Sequence, residues 1–233
     1  MSTWLDWARG PIFRFALAFM ILGLIRHGGL TVWEVWRTIR QAGDKTFPLK
    51  AVAKATWNWL FPYKKMKGRL AYSITTVSFH ISVILVPILL AGHIVLIERG
   101  IGLSWPAISN LLADFLTIVA IVTSVALIIE RASARDTRAL SRFSDYAIPV
   151  LVALPFASGY LLMHGAINPF PFEATFFAHV MSANLLMVLI PITKLSHIVL
   201  LPGTQVISEA AWHWPSDSGS KVALALSKEN EPI

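Results

Sequence analysis

The sequence predicts an all-α integral membrane protein, a five transmembrane helix bundle with its N-terminus outside and its C-terminus cytoplasmic. Three observations carry that expectation. Five stretches are each near the roughly 20 apolar residues that a bilayer core requires. Of 233 residues, 55% are hydrophobic and only 14% charged, whereas an ordinary soluble domain is about a quarter charged. Lys and Arg gather in alternate loops, the pattern of a cytoplasmic membrane face.

The first span covers about 11–33, "PIFRFALAFMILGLIRHGGLTVW". It ends in "LIRHGGL", with no small-residue cleavage site, and so reads as a span rather than a removable signal. A basic loop, about 34–72, follows on the cytoplasmic side, with nine Lys and Arg from Arg37 to Arg69 against Glu34 and Asp44. Within it, Trp33, Trp36 and Ile39–Arg40 recur at helical spacing, and Trp57, Trp59 and Tyr63 follow. Aromatics mixed with cations suit a helix lying at the headgroup level; a docking surface for a cytoplasmic subunit is the other reading.

Span two is about 73–97 and span three about 107–129, joined by the short "ERGIGLSWP" with a single Arg. The next loop is basic again: Arg131, Arg135, Arg138 and Arg142. Span four is about 146–164 and span five about 174–201, joined by "GAINPFPFE" with no basic residue. The membrane domain thus occupies 1–201. Residues 202–233 read as a cytoplasmic tail with one aromatic cluster, "AWHWP", and a disordered end.

Composition narrows the chemistry. With no cysteine, the chain can form no disulfide, no thiolate-bound iron–sulfur cluster and no covalent c-type haem attachment. A net charge of +7 would be notable in a soluble chain, but here it reports topology rather than nucleic acid.

Histidine is the remaining soft ligand, and its placement is unusual. His80 and His93 lie in span two, His179 and His197 in span five. Ionisable residues inside a membrane are costly and are functional candidates by default. The spans run in opposite directions, so His93 meets His179 in depth on the outer side and His80 meets His197 on the inner side. Two such pairs suit two bis-histidine haems b, because neutral imidazole binds iron without bringing net charge into the bilayer. A regular helix returns to the same face after 18 residues, the separation of His179 and His197. It leaves residues 13 apart, as His80 and His93 are, about 140° out of line. Pro87 and Pro191 lie between the ligands of each span and are expected to kink it. The competing readings are a haem-free membrane anchor and a proton or metal transporter using the intramembrane histidines. A transporter should pair acids with them, and spans two and five contain none.

Five spans, an outer N-terminus, two histidines in span two and two in span five 18 residues apart together resemble one known family. It is the dihaem cytochrome b family of the respiratory nitrate reductase gamma subunit, with its relatives of the DsrM and TmcC type. The similarity covers about 11–201. The resemblance implies a subunit of a respiratory complex in the inner (cytoplasmic) membrane, inactive alone, that moves electrons between menaquinone or ubiquinone and partner subunits. Those partners are a cytoplasmic iron–sulfur subunit or an external multihaem cytochrome c. By position, His93 and His179 match the outer-haem ligands and His80 and His197 the inner ones.

Quinol oxidation needs a proton acceptor near the outer haem. Asp114 is the one acid well inside an apolar span, which makes it the candidate catalytic base; His164 and the Glu98–Arg99 cap of span two stand on the same side. Arg99 and Lys194 are further candidate cofactor contacts. On the inner side Lys194, Arg26 and Arg69 could pair with haem propionates, although snorkelling to headgroups explains Lys194 nearly as well. His27 and His213 have no assigned role.

Overall fold

The computed structural model describes residues 3–41, 49–60, 70–213 and 218–227. Among these residues there is no strand, and five helices are long and apolar enough to cross a membrane: Thr3–Arg40, Leu70–Leu89, Asn110–Ser133, Phe143–Met163 and Phe172–Ile192. Length and composition therefore fit a multi-pass membrane protein. The chain divides into two compact units, Met1–Ala16 with Met66–Leu186, and Leu17–Lys65 with Met187–Ile233.

In the first unit, α1 (Thr3–Trp7) runs through a π-helical turn, Ala8–Ile12, into the start of α2 (Phe13–Gln41). Pro11 within that turn has no N–H to give the helical ladder. After α4 (Leu70–Leu89) and α5 (Ala91–Ile101) comes α6 (Asn110–Ser133), opened by Ser109, whose hydroxyl accepts the Leu112 N–H. The short α7 (Arg135–Leu140) leads to α8 (Phe143–Met163), and α9 (Phe172–Ile192) follows. α6 packs against both α4 and α8. Its buried Ala113, Thr117, Ala120 and Ser124 recur at intervals of four, three and four, a single face of small side chains. Small residues let helix backbones approach closely in a membrane, where lipid supplies no hydrophobic drive between helices. The Thr117 and Ser124 hydroxyls donate to the Ala113 and Ala120 carbonyls at 2.7 Å each, so neither is stranded. On the helices packed against it, Ser82 and Val86 of α4 and Val152 and Phe156 of α8 are buried as well. The buried Asn184 of α9 donates its Nδ2–H to the Ala8 carbonyl at 2.9 Å, which ties α9 to the π turn.

The second unit holds most of α2, α3 (Leu49–Leu60), the last turn of α9, α10 (His197–His213) and α11 (Ser218–Ala225). Three glycines set its packing. A Cβ on Gly23 would overlap the Pro191 ring, and one on Gly203 would overlap the Thr31 methyl. One on Gly28 would lie 3.5 Å from Val199. Val52 and Thr56, one turn apart, are the buried side of α3, which packs on α10.

Two expectations change. The aromatic–basic stretch after Trp33 is not a separate interfacial helix: α2 continues unbroken through it, and 29 residues rise about 44 Å, more than a bilayer core of about 30 Å. Its end is held by pairs along one helix. Arg37 meets Glu34 at 2.8 Å, the Trp33 and Trp36 rings lie 4.9 Å apart, and the Arg40 guanidinium sits 4.2 Å over Trp36. Lys45, Lys64, Lys65, Lys67 and Arg69 lie outside the described residues. The start of the expected tail is likewise helical, since α10 runs through "LPGT" to His213; 214–217 and 228–233 lie outside the described residues.

The second change concerns the histidine-bearing spans, both of which are broken. α4 runs through Pro87 to Leu89; Leu90 is then extended (φ −72°, ψ 128°) before α5 begins. α9 stops at Ile192, one residue beyond Pro191, and a 3₁₀ turn, Lys194–Ser196, precedes α10. Counting 100° per residue does not carry through either break. The 140° offset between His80 and His93 therefore disappears as an objection, and the shared face of His179 and His197 disappears as an argument.

Candidate functional site

The break in span two exposes backbone carbonyls, and their partners build the site. A helix ends with carbonyls that have no intrahelical donor, and in an apolar medium each needs another. The Pro87 carbonyl accepts His93 Nδ1–H at 3.1 Å, the Ile88 carbonyl accepts Trp105 Nε1–H at 2.8 Å, and the Leu89 carbonyl accepts the Ile108 N–H at 3.0 Å. These three carbonyls are thus met by His93 of α5 and by the segment that leads into α6.

On the facing side, His179 Nδ1–H donates to the Pro155 carbonyl of α8 at 2.9 Å. The ring lies directly against Gly159, where an added Cβ would be 3.0 Å from His179 Cε1 and 3.2 Å from Nδ1. The His93 and His179 rings stand 6.1 Å apart between centroids, with their planes 10° from parallel. The structure thus brings together the outer pair expected from depth.

Tautomer then decides what this pair can do. A carbonyl only accepts, so each Nδ1 carries the proton and each neutral ring keeps a lone pair on Nε2. Neither Nε2 has a hydrogen-bond partner among the described residues. Two neighbouring acceptors cannot satisfy each other, and an electrophile is what they suit. Imidazoles on metal sites characteristically hand their other N–H to a carbonyl in this way. Two imidazoles with their Nδ1 protons committed to carbonyls are the donor type that a bis-histidine metal group uses.

The other two expected ligands show the same nitrogen engaged. His80 Nδ1–H donates to the Thr76 carbonyl at 2.8 Å, and His197 Nδ1–H to the Lys194 carbonyl at 2.8 Å. His80 borders a shallow apolar groove along its own helix, with Thr76, Val77, Ile81, Ile84 and Leu85. Both side chains are exposed. His80 belongs to the first unit and His197 to the second, so their pairing rests on the depth argument alone. Among the described residues, no three His, Asp or Glu side chains converge as a metal cluster.

His27 differs in a telling way. Its Nε2 bonds the Pro191 carbonyl at 2.7 Å, so the nitrogen a haem ligand would offer is used to close a helix end. Three histidines thus meet three proline carbonyls, at Pro87, Pro155 and Pro191.

The structure also joins two residues 50 positions apart. His164 Nε2 lies 3.4 Å from Asp114 Oδ2, with the side chains 34% and 33% exposed. His164 Nδ1–H donates to the Tyr160 carbonyl at 3.0 Å, and the Tyr160 ring lies 4.2 Å from the imidazole. Asp114 stands one turn inside α6. Arg99 and Glu98 are exposed in the last turn of α5, and Arg26 is exposed on α2. The Lys194 backbone carbonyl holds His197. Arg69, and the side chain of His213, lie outside what is described. Gly159, Pro155, Ser158 (3.5 Å from His179 Nδ1), Trp105 and Tyr160 were not singled out from sequence. Mid-span prolines, whose neighbours leave carbonyls unpaired, were the signal available.

Over 199 residues the chain is 30% identical to a protein of Nitratidesulfovibrio vulgaris (strain Hildenborough), covering 82% of this chain and 85% of that one. The two belong to one family. The relative's description, "Protein", names no activity, ligand or partner, so membership carries none across. No protein-family model matches the chain, and no solved structure does.

Proposed function

We propose that the chain is a dihaem cytochrome b membrane subunit of a respiratory complex, passing electrons between membrane quinol and partner redox subunits. One observation carries the reading. His93 and His179 face each other with both Nδ1 protons committed to proline carbonyls and both Nε2 lone pairs uncommitted. When bound, a haem there would supply one-electron chemistry. The chain's own part is to hold the two rings in one tautomer and orientation, through the Pro87 and Pro155 carbonyls and the flat seat at Gly159. The proposal extends to a second haem on His80 and His197, an outer N-terminus, the inner membrane, and an iron–sulfur subunit or external cytochrome c as partner. These rest on the sequence and the family resemblance.

A reduced-minus-oxidised spectrum of the purified protein tests the reading, with a b-type alpha band as the expected result. His93→Ala and His179→Ala should each remove the same component of that band. Absence of the band from the wild type, or losses of different components in the two variants, would sink the assignment. A transporter reading gains one supporting observation, the acid–histidine contact of Asp114 and His164. A protein with no b-type band would favour it.

A further inference from the structure

The connection between α6 and α8 is held at one depth by the two helices it joins. α6 has 24 residues and α8 has 21, so they rise about 36 and 32 Å, close to a bilayer core of about 30 Å, and they pack side by side. Residues 134–142 join them through α7, a helix of six residues. A link that short between two membrane-length helices lies in the headgroup layer, which adds only about 5–8 Å to each side of the core.

Arg131, Arg135, Arg138 and Arg142 all belong to this corner, and none of the four is ion-paired among the described residues. The neighbouring acids leave them so. Glu130 accepts the Thr75 hydroxyl at 3.3 Å, the Asp145 carboxylate accepts the Arg142 N–H at 2.9 Å, and Asp136 is exposed in the first turn of α7. Topology alone accounts for positive charge on one membrane face, but it asks for no geometry, and here there is some. Arg131 Nη1–H donates to Ser141 Oγ at 3.1 Å, and that hydroxyl donates to the Thr137 carbonyl at 2.6 Å. Arg138 Nη1–H donates to the Ala132 carbonyl at 3.0 Å. Two guanidiniums are thus set in place by one N–H each, with four of their five donors left over. Leu140 and Phe143, on either side of Ser141–Arg142, are each 86% exposed. Cations beside bare apolar side chains at the membrane boundary match the two ends of a lipid.

We propose that this corner is a binding site for an acidic phospholipid, with Arg135, Arg138 and Arg142 on its phosphate-bearing headgroup and Leu140 and Phe143 against its acyl chains. The inference goes beyond the haem reading and does not depend on it. Guanidinium forks pair bidentately with phosphate oxygens, which a lysine ammonium does not do. A zwitterionic lipid carries the same phosphate but brings its own cation, which the arginines repel. A headgroup with net negative charge is what neutralises three cations that have no carboxylate of their own.

The chain has no cysteine, so Ala139→Cys, exposed on α7, gives a single attachment point for a bimane fluorophore. With the full chain in vesicles, quenching by brominated phosphatidylglycerol is compared with quenching by brominated phosphatidylcholine. The label should favour the acidic lipid by roughly fivefold or more, the effect of at least one basic residue at an acidic surface. A label at Ile167→Cys, beyond the far end of α8, should show no preference. Arg135→Lys, Arg138→Lys and Arg142→Lys together keep the charge and remove the forks, and should bring the preference to near parity. Arg135→Lys alone, at a side chain that makes no hydrogen bond or ion pair among the described residues, should lower it too, and it serves if the triple variant loses helicity. Equal quenching by the two lipids before any arginine is changed would overturn the site and leave this face to an acidic protein partner. A preference that the lysine variants keep in full would overturn it equally, in favour of diffuse surface charge.

Discussion

Gly159→Ala sets two familiar effects against each other. In a helix interior, Ala is better than Gly by about 0.8–1.0 kcal/mol, so backbone propensity alone makes the variant more stable. The new Cβ, however, lands 3.0 Å from His179 Cε1, where carbon–carbon contacts are optimal at about 3.5–4.0 Å. The ring must retreat by about 0.5 Å. It is tethered by its 2.9 Å bond to the Pro155 carbonyl, and a retreat of that size along the bond would stretch it past the roughly 3.2 Å limit of good geometry. Loss of such a supporting contact typically costs about 10–100-fold in metal affinity. If His179 holds a haem as proposed, Gly159→Ala should therefore keep or raise the thermal midpoint while loosening that haem, and Gly159→Val, with two further methyl groups, should lose it outright. Haem per chain by pyridine haemochrome, measured beside helicity by circular dichroism, reads both effects. Full haem content and an unchanged alpha band in Gly159→Val would refute the geometry assigned to His179.

Two further variants probe the proline-centred packing. His27→Ala leaves the carbonyl of the buried Pro191 without its donor and should lower stability by about 1–3 kcal/mol with the b-type spectrum untouched; spectral loss would make His27 a ligand instead. Gly23→Ala drives a methyl group into Pro191 and should cost about 1–3 kcal/mol, whereas Gly29→Ala, with no atom within 4 Å, should be neutral or stabilising; equal midpoints for these two would discount the close approach.

Much of the fold was legible because the bilayer imposes a length and a composition that any sequence must show. The five apolar helices follow from that, to within several residues at their ends. The break after Leu89 was not legible in place. Pro87 signals a disturbed ladder, but where it opens depends on Trp105 and Ile108, which reach back from the next connection to take the Ile88 and Leu89 carbonyls. The long course of α2 was hidden for a different reason: its basic, aromatic end looks interfacial whether it lies along the headgroups or projects past them. At the candidate site, depth alone identified His93 with His179, since opposite helix directions fix which ends can meet. Asp114 and His164 were each noticed at the same end, yet no periodicity links residues 50 apart. Gly159 and Pro155 carry no side-chain chemistry to notice, and their importance lies in a shape and a carbonyl.

The interrupted helix at Leu90 also has an electronic side. An imidazole that lends its N–H to a carbonyl gains imidazolate character, and its other nitrogen becomes a stronger σ-donor. How far His93 leans that way depends on how squarely the Pro87 carbonyl faces it. That carbonyl belongs to a frayed end whose next two carbonyls are pinned by Trp105 and Ile108. The connection into α6, which directly follows the helix of His93, thereby acts as a trimming screw on the electron density that His93 has to offer.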